Sequence, residues 1–162
     1  MVPQKEAYLG LGSNLANPMS QLKLALKALA AHPAITLFAC SSFYLTKPVG
    51  YAHQPDYINS VVKIHTHLAP LNLLSVVLTI ERQLGRKRLF KNAPRIIDID
   101  ILYYQQVVWD DKKLVLPHPR LFERAFVLVP LAELAPDLFI APYGKVYELL
   151  NRITCHGVKQ LE

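Results

Sequence analysis

Cysteine is almost missing from this chain. Cys40 and Cys155 are the only two in 162 residues, far apart and outside any Cys-x-x-Cys pattern. A disulfide framework and a thiol redox pair are therefore excluded, and both residues read as reduced, non-catalytic thiols. No apolar run reaches the roughly 18 residues that a membrane span needs. The start, Met1-Val2-Pro3-Gln4-Lys5-Glu6, also lacks the charged-then-apolar layout of a signal peptide. A soluble, cytoplasmic protein with no membrane partner is the expectation. Acid is in short supply as well: 12 Asp and Glu against 18 Lys and Arg leave a net charge of +6. That favours anionic partners, and nucleotide and nucleic acid are both open on this ground. A chain that is 52% hydrophobic and 19% charged throughout its length fits neither disorder nor a solvated tail. Its size suits one compact domain over residues 1–162, and no obligate protein partner is evident.

What is present alternates between strand and helix signals. Glu6 to Leu11 is a short apolar run ending at Gly12-Ser13-Asn14, which predicts a first strand and a turn. Asn17 is placed to cap a helix with Pro18 at its first position. Leu22, Ala25, Leu26 and Leu29 line one face of that helix up to about Ala31. Ile35 to Thr46 is rich in β-branched and aromatic residues and free of Gly and Pro, so it predicts one long second strand. Two prolines and a glycine between Lys47 and Pro55 predict a binding loop. Tyr57 to Thr66 then alternates as a third strand with Tyr57 and Asn59 on one face. Pro70 to Leu84 is a second amphipathic helix stopped by Gly85. Beyond the strand that follows, short strands are predicted near Val107 to Trp109 and Leu114 to Leu116. Helical turns limited by Pro130 and Pro136 follow, and a last helix runs from Val146 to Ile153. This order is that of a ferredoxin-like α+β fold: a βαββαβ antiparallel sheet with helices on one side and a C-terminal extension.

The chemistry is expected where a basic loop meets the strand Asp98-Ile99-Asp100-Ile101-Leu102. Period-two alternation puts Asp98 and Asp100 on one face with Cα atoms about 6.6–7 Å apart. That spacing suits one hard cation or a pair of Mg²⁺ ions. Such a pair can equally be the solvent face of an edge strand. The segment before it changes the balance, because Arg82, Arg86, Lys87, Arg88, Lys91 and Arg95 occur there with no acid among them. A metal-bound polyphosphate would satisfy both sets of charges.

The run Lys91-Asn92-Ala93-Pro94-Arg95-Ile96-Ile97-Asp98-Ile99-Asp100-Ile101-Leu102 resembles the signature of the 6-hydroxymethyl-7,8-dihydropterin pyrophosphokinase family. Three further stretches match in the same order: Gly10-Leu11-Gly12-Ser13-Asn14-Leu15, Thr46 through Asn59 with Gln54-Pro55-Asp56-Tyr57, and Leu116-Pro117-His118 with Arg124-Ala125-Phe126. The resemblance covers nearly the whole chain. It implies transfer of pyrophosphate from ATP to the hydroxymethyl group of the pterin, giving AMP and the pterin diphosphate, a step of folate biosynthesis.

The same resemblance implies roles for individual residues. Asp98 and Asp100 would hold two Mg²⁺ ions. Arg86 and Arg95 would act with them in catalysis. Arg86, Arg88, Arg95, Ile101, His118 and Arg124 would bind ATP, the cations and His118 neutralising phosphate charge. Thr46, Pro48, Val49, Tyr57, Asn59 and Phe126 would bind the pterin, with Tyr57 and Phe126 as plates on either side of it. Asn92 stands where the family often has Trp, Leu78 where some members place Gln, and Pro119 where a Tyr can follow the histidine. A basic ferredoxin-like sheet can also bind RNA through exposed aromatics. No strand here carries Lys/Arg-Gly-Phe/Tyr-Gly/Ala-Phe, so nucleic acid is not the expected partner.

Overall fold

A computed structural model describes residues 3–48, 53–86, 91 and 94–161. Its centre is β1 (Lys5–Ser13), which pairs antiparallel with β4 (Tyr57–Thr66) on one side and β5 (Asp98–Tyr104) on the other. Two shorter strands, β2 (Ile35–Cys40) and β3 (Tyr44–Thr46), both pair antiparallel with β4. A strand near the C-terminus, Val158–Gln160, covers the outer edge of β3. The pairing confirms the predicted ferredoxin-like sheet, in which the first and third strands of the βαββαβ unit sit in the middle.

Alternation on β1 sorts its side chains between two cores. Ala7, Leu9 and Leu11 pack with Val62, Ile64, Ile99 and Ile101 beneath helices α1 (Pro18–Ala31) and α2 (Pro70–Gln83). The cap of α1 is the predicted one: Ser20 N donates to Asn17 Oδ1 at 3.5 Å and Pro18 begins the helix, where its missing N–H costs nothing. On the opposite face Tyr8, Val61 and Leu102 pack against α3 (Ala125–Leu134) and α4 (Val146–Asn151) through Val127, Leu128, Leu131, Val146 and Leu149. The two helices of the βαββαβ unit thus lie on one side, as expected. The C-terminal extension is a second helical layer, and it buries the face that would otherwise leave Tyr8, Val61 and Leu102 in water. Pro130 lies within α3 rather than ending it, buried in this second core.

The single strand expected from Ile35 to Thr46 is two strands separated by Ser41–Phe43. The cause is a side chain standing in for backbone. Ser41 N donates to Val61 O at 2.9 Å, and Val61 N donates to Ser41 Oγ, also at 2.9 Å. The hydroxyl occupies the place of the next ladder carbonyl, and a register shift between Leu37 and Ala39 has already bent the strand. Two small hairpin pairs complete the sheet structure: β6 (Trp109–Asp110) with β7 (Val115–Leu116), and β8 (Phe139–Ile140) with β9 (Gly144–Lys145). The strand at Val158–Gln160 is β10.

Candidate active site

The site begins with two side chains that are not there. Gly10 and Gly12 on β1 lie opposite Asp100 and Asp98 on β5, and opposite Val61 and Asn59 on β4. A Cβ on Gly12 would come within 2.6 Å of Asn59 Oδ1, a distance real Cβ atoms do not reach. Neither glycine has a positive φ, so they serve space and not backbone freedom. The glycine strip is the floor of a cavity walled by Tyr57 and Asn59 on one side and Asp98 and Asp100 on the other.

Cations close around the carboxylates. Arg86 Nη1 donates to Asp98 Oδ1 at 2.9 Å and Arg95 Nη1 to Asp98 Oδ2 at 2.7 Å. Arg124 caps the start of α3, lies 5.4 Å from the centre of the Phe126 ring and is half-buried. Asp100 accepts no hydrogen bond or ion pair among the described residues. Burial first, and then the charge of Asp98, push its carboxyl up to about 7, with Arg124 pulling the other way. His118 behaves differently from the charge-neutralising role given to it above. Burial, followed by the nearby Arg124, lowers its imidazole to about 4, so at neutral pH the ring is uncharged. Its Nδ1 accepts from Arg120 N at 3.2 Å, which leaves the proton on Nε2 as a neutral donor.

Two residues outside the sequence-based set organise this cluster. Glu81, only 2% exposed in α2, accepts from Ile99 N at 2.7 Å and from Arg86 Nη1 at 2.5 Å. It satisfies the amide between the two aspartates on the free edge of β5 and aims Arg86 at Asp98. Burial raises its own carboxyl, while the Ile99 amide and Arg86 act to lower it. A signal was available: Glu81 falls among Val77, Ile80 and Leu84 on the apolar stripe of the helix, where an acid needs a buried partner. Asn14, 2% exposed, receives Arg95 N at 2.8 Å on Oδ1 and donates Nδ2 to Gln54 Oε1 at 2.8 Å and Pro55 O at 3.0 Å. One amide therefore joins the basic loop to the segment entering β4. Nothing local to the sequence marks that distant contact.

The predicted residues separate into two neighbouring cavities. The first, about 840 Å³ with its open mouth, is lined by Thr46, Tyr57, Asn59, Phe126, Arg95 and Arg124 over the glycine floor. Lys47 and Arg120 also line it and were not predicted. Asn59 Nδ2 donates to Thr46 Oγ1 at 2.5 Å, which fixes the amide plane. The second, about 730 Å³, runs along the free edge of β5 past Ile101, Arg86 and His118, with Leu74, Leu78 and Leu114 as apolar lining and Lys112 and Lys113 at the rim. Asp98 and Asp100 line both cavities and, among the described residues, are the only ones common to the two. Pro48 follows Lys47 without lining either cavity. Val49, Arg88 and Asn92 lie outside the described residues, so their expected roles are left there.

The carboxylates suit a hard cation that takes most of its ligands from elsewhere. Among the described residues no group of three or more His, Cys, Asp or Glu is arranged to hold a metal. Two carboxylates on one strand face are what Mg²⁺ commonly takes from protein, with phosphate and water supplying the rest. Asp100, half-buried beside a like charge and without an ion pair among the described residues, fits that use. Arg86 Nη2 is buried with no hydrogen-bond partner among the described residues, a donor suited to an anion at the same place.

Residues 8–136 match the family model described as 7,8-dihydro-6-hydroxymethylpterin-pyrophosphokinase. The chain is 47% identical over 156 residues to a 2-amino-4-hydroxy-6-hydroxymethyldihydropteridine pyrophosphokinase of Methylorubrum extorquens, covering 96% of this chain and 98% of that one. It is 38% identical over 157 residues to the folic acid synthesis protein fol1 of Schizosaccharomyces pombe, covering 96% of this chain and 21% of fol1. Among solved structures, a Plasmodium falciparum HPPK-DHPS superposes with a TM-score of 0.79 at 15% identity. That likeness covers 99% of this chain and 49% of the Plasmodium chain; it bears on the fold alone.

Proposed function

This chain belongs to the 7,8-dihydro-6-hydroxymethylpterin-pyrophosphokinase family, and on that footing we propose that Asp98 and Asp100 are the point where its two substrates meet. The enzyme transfers pyrophosphate from ATP to 6-hydroxymethyl-7,8-dihydropterin in folate biosynthesis. The observation that carries the site assignment is that two cavities of different character share, among the described residues, only those two aspartates.

The cavity with the glycine floor takes the pterin. Tyr57 and Phe126 supply flat apolar surfaces, and Asn59, locked by Thr46, presents its amide to the polar edge of the ring. The cavity along β5 takes ATP, with Leu74, Leu78, Ile101 and Leu114 against the base and Lys112 and Lys113 at its rim. Between them the hydroxymethyl oxygen attacks the β-phosphorus. The bond from that phosphorus to the oxygen of the α-phosphate breaks, AMP leaves, and the hydroxyl proton passes to solvent. Arg86, Arg95 and Arg124 hold the phosphates in line and offset the charge that spreads over them. His118 Nε2 donates a neutral hydrogen bond to a phosphate oxygen. Two Mg²⁺ ions held by Asp98 and Asp100, when bound, would neutralise further phosphate charge. The reaction, which consumes ATP, belongs in the cytoplasm.

Mixing the protein with ATP, Mg²⁺ and the hydroxymethyl pterin is expected to release AMP. Asp98→Ala and Asp100→Ala should each lower the rate by at least about 10²-fold. Full activity in both variants would overturn the site assignment, and ADP as the nucleotide product would overturn the reaction.

A further inference from the structure

At the other end of α3, a carboxylate that lines neither cavity gathers three hydrogen bonds. Tyr44 Oη donates to Glu133 Oε1 at 2.5 Å, while Ser42 N and Ser42 Oγ donate to Oε2 at 2.8 and 3.2 Å. The helix dipole disfavours an acid in the last turn, so these contacts are what keep it there. Tyr44 is 5% exposed and its hydroxyl, pushed up by burial and by the carboxylate, remains a donor.

The two elements that Glu133 joins both line the first cavity, through Thr46 and Phe126. On β3, Tyr44 lies opposite Asn59 and Thr46 opposite Tyr57, and Thr46 accepts the Asn59 amide. On α3, Phe126 stands in the first turn, about 10 Å along the helix axis from Glu133 at 1.5 Å per residue. A three-residue strand has few ladder bonds of its own. The chain then leaves it directly into Lys47 and Pro48. The far side of β3 is held by β10, where Gln160 Nε2 donates to Ser42 Oγ at 3.0 Å and Leu161 N to Phe43 O at 2.8 Å.

We infer that Glu133 is a positioning residue for the pterin cavity: by tying Ser42 and Tyr44 to the end of α3, it sets the separation between the Thr46–Asn59 wall and Phe126. The inference rests on reading that cavity as the pterin site. Substrate contacts made by β3 and by α3 then depend on a side chain that touches neither substrate. ATP, bound along β5, shares only Arg124 with that helix.

The test compares wild type with Glu133→Ala, Glu133→Gln and Tyr44→Phe, measuring AMP release for KM and kcat and direct binding of 6-hydroxymethylpterin by fluorescence. Glu133→Ala is expected to raise the pterin KM about tenfold, the loss of roughly one well-placed hydrogen bond, with the ATP KM within about twofold. Glu133→Gln should recover part of this, because its amide oxygen still accepts from Ser42 N and its NH₂ can donate to Tyr44 Oη. Tyr44→Phe, the mildest change, should shift pterin binding in the same direction. Adding Tyr44→Phe to Glu133→Ala should add little, since both remove the same contact. A pterin KM unchanged in Glu133→Ala, whatever its melting temperature, would overturn the inference. So would pterin and ATP KM values that rise together, since that is the mark of general loosening. If wild type itself fails to bind 6-hydroxymethylpterin, the reading of the cavity falls, and this inference with it.

Discussion

Asp100 shows what a functional residue costs a fold. Its carboxyl is pushed up to about 7 from an unfolded value near 4, so between those two pH values the folded protein holds more protons than the unfolded one. Stability without ligands therefore falls as pH rises through that window, and the loss persists above it. Asp100→Asn carries no charge to be penalised. It is expected to stabilise the ligand-free protein at pH 8 by on the order of 1–3 kcal/mol, with no gain at pH 3.5, while activity is lost. Thermal melts of both proteins at the two pH values check this, and equal melting temperatures at pH 8 would refute it. Added Mg²⁺ should raise the melting temperature of wild type more than that of the variant, because only wild type keeps the full carboxylate pair. His118 is tuned by the same burial in the other direction, and a neutral ring beside Arg124 avoids placing two cations together before a phosphate arrives.

At the scale of elements, the break between β2 and β3 matters more than either strand. It moves the pairing on β4 by one residue, from Cys40 opposite Val62 to Tyr44 opposite Asn59, and so sets Thr46 opposite Tyr57. Ser41 makes that break possible, accepting from Val61 N and donating to Ser42 O at 2.8 Å while 5% exposed. Ser41→Ala would leave the buried Val61 amide without a partner and should destabilise the protein by about 1–3 kcal/mol. Urea unfolding measures this directly, and a change below about 0.5 kcal/mol would mean that another acceptor replaces the hydroxyl. Asn14 plays a corresponding part between loops, joining Arg95 to Gln54 and Pro55. The backbone at Arg95 is thereby tied to the segment that enters β4.

Across the whole molecule, one sheet separates two apolar cores, and the catalytic face is shared with the second. That core, built from α3 and α4 against Tyr8, Val61 and Leu102, carries Arg124 and Phe126 on the helix it buries. Leu128 is fully buried there. Leu128→Ala should cost about 2–5 kcal/mol. Because both cores pack on the same strands, the loss is expected in a single cooperative transition, with near- and far-ultraviolet signals coinciding. Separate transitions would show that the C-terminal layer unfolds on its own.

The sequence by itself determined what short-range geometry controls. Alternation on a strand put Asp98 and Asp100 on one face, as it put Tyr57 with Asn59, and helix spacing with the Asn17 and Pro18 start drew α1 almost to the residue. The motif order pointed to the family to which the chain belongs. Tertiary structure decided what depends on partners far away in the chain. Only the register of β1 shows that Gly10 and Gly12 lie opposite the aspartates and clear the floor of the first cavity. Only packing shows that the Glu81 carboxylate completes the free edge of β5, or that the C-terminal extension covers the sheet's second face. The physical reason is the same in each case. A side chain's direction follows from its own backbone, but its partner follows from hydrogen bonds and burial among residues tens of positions apart.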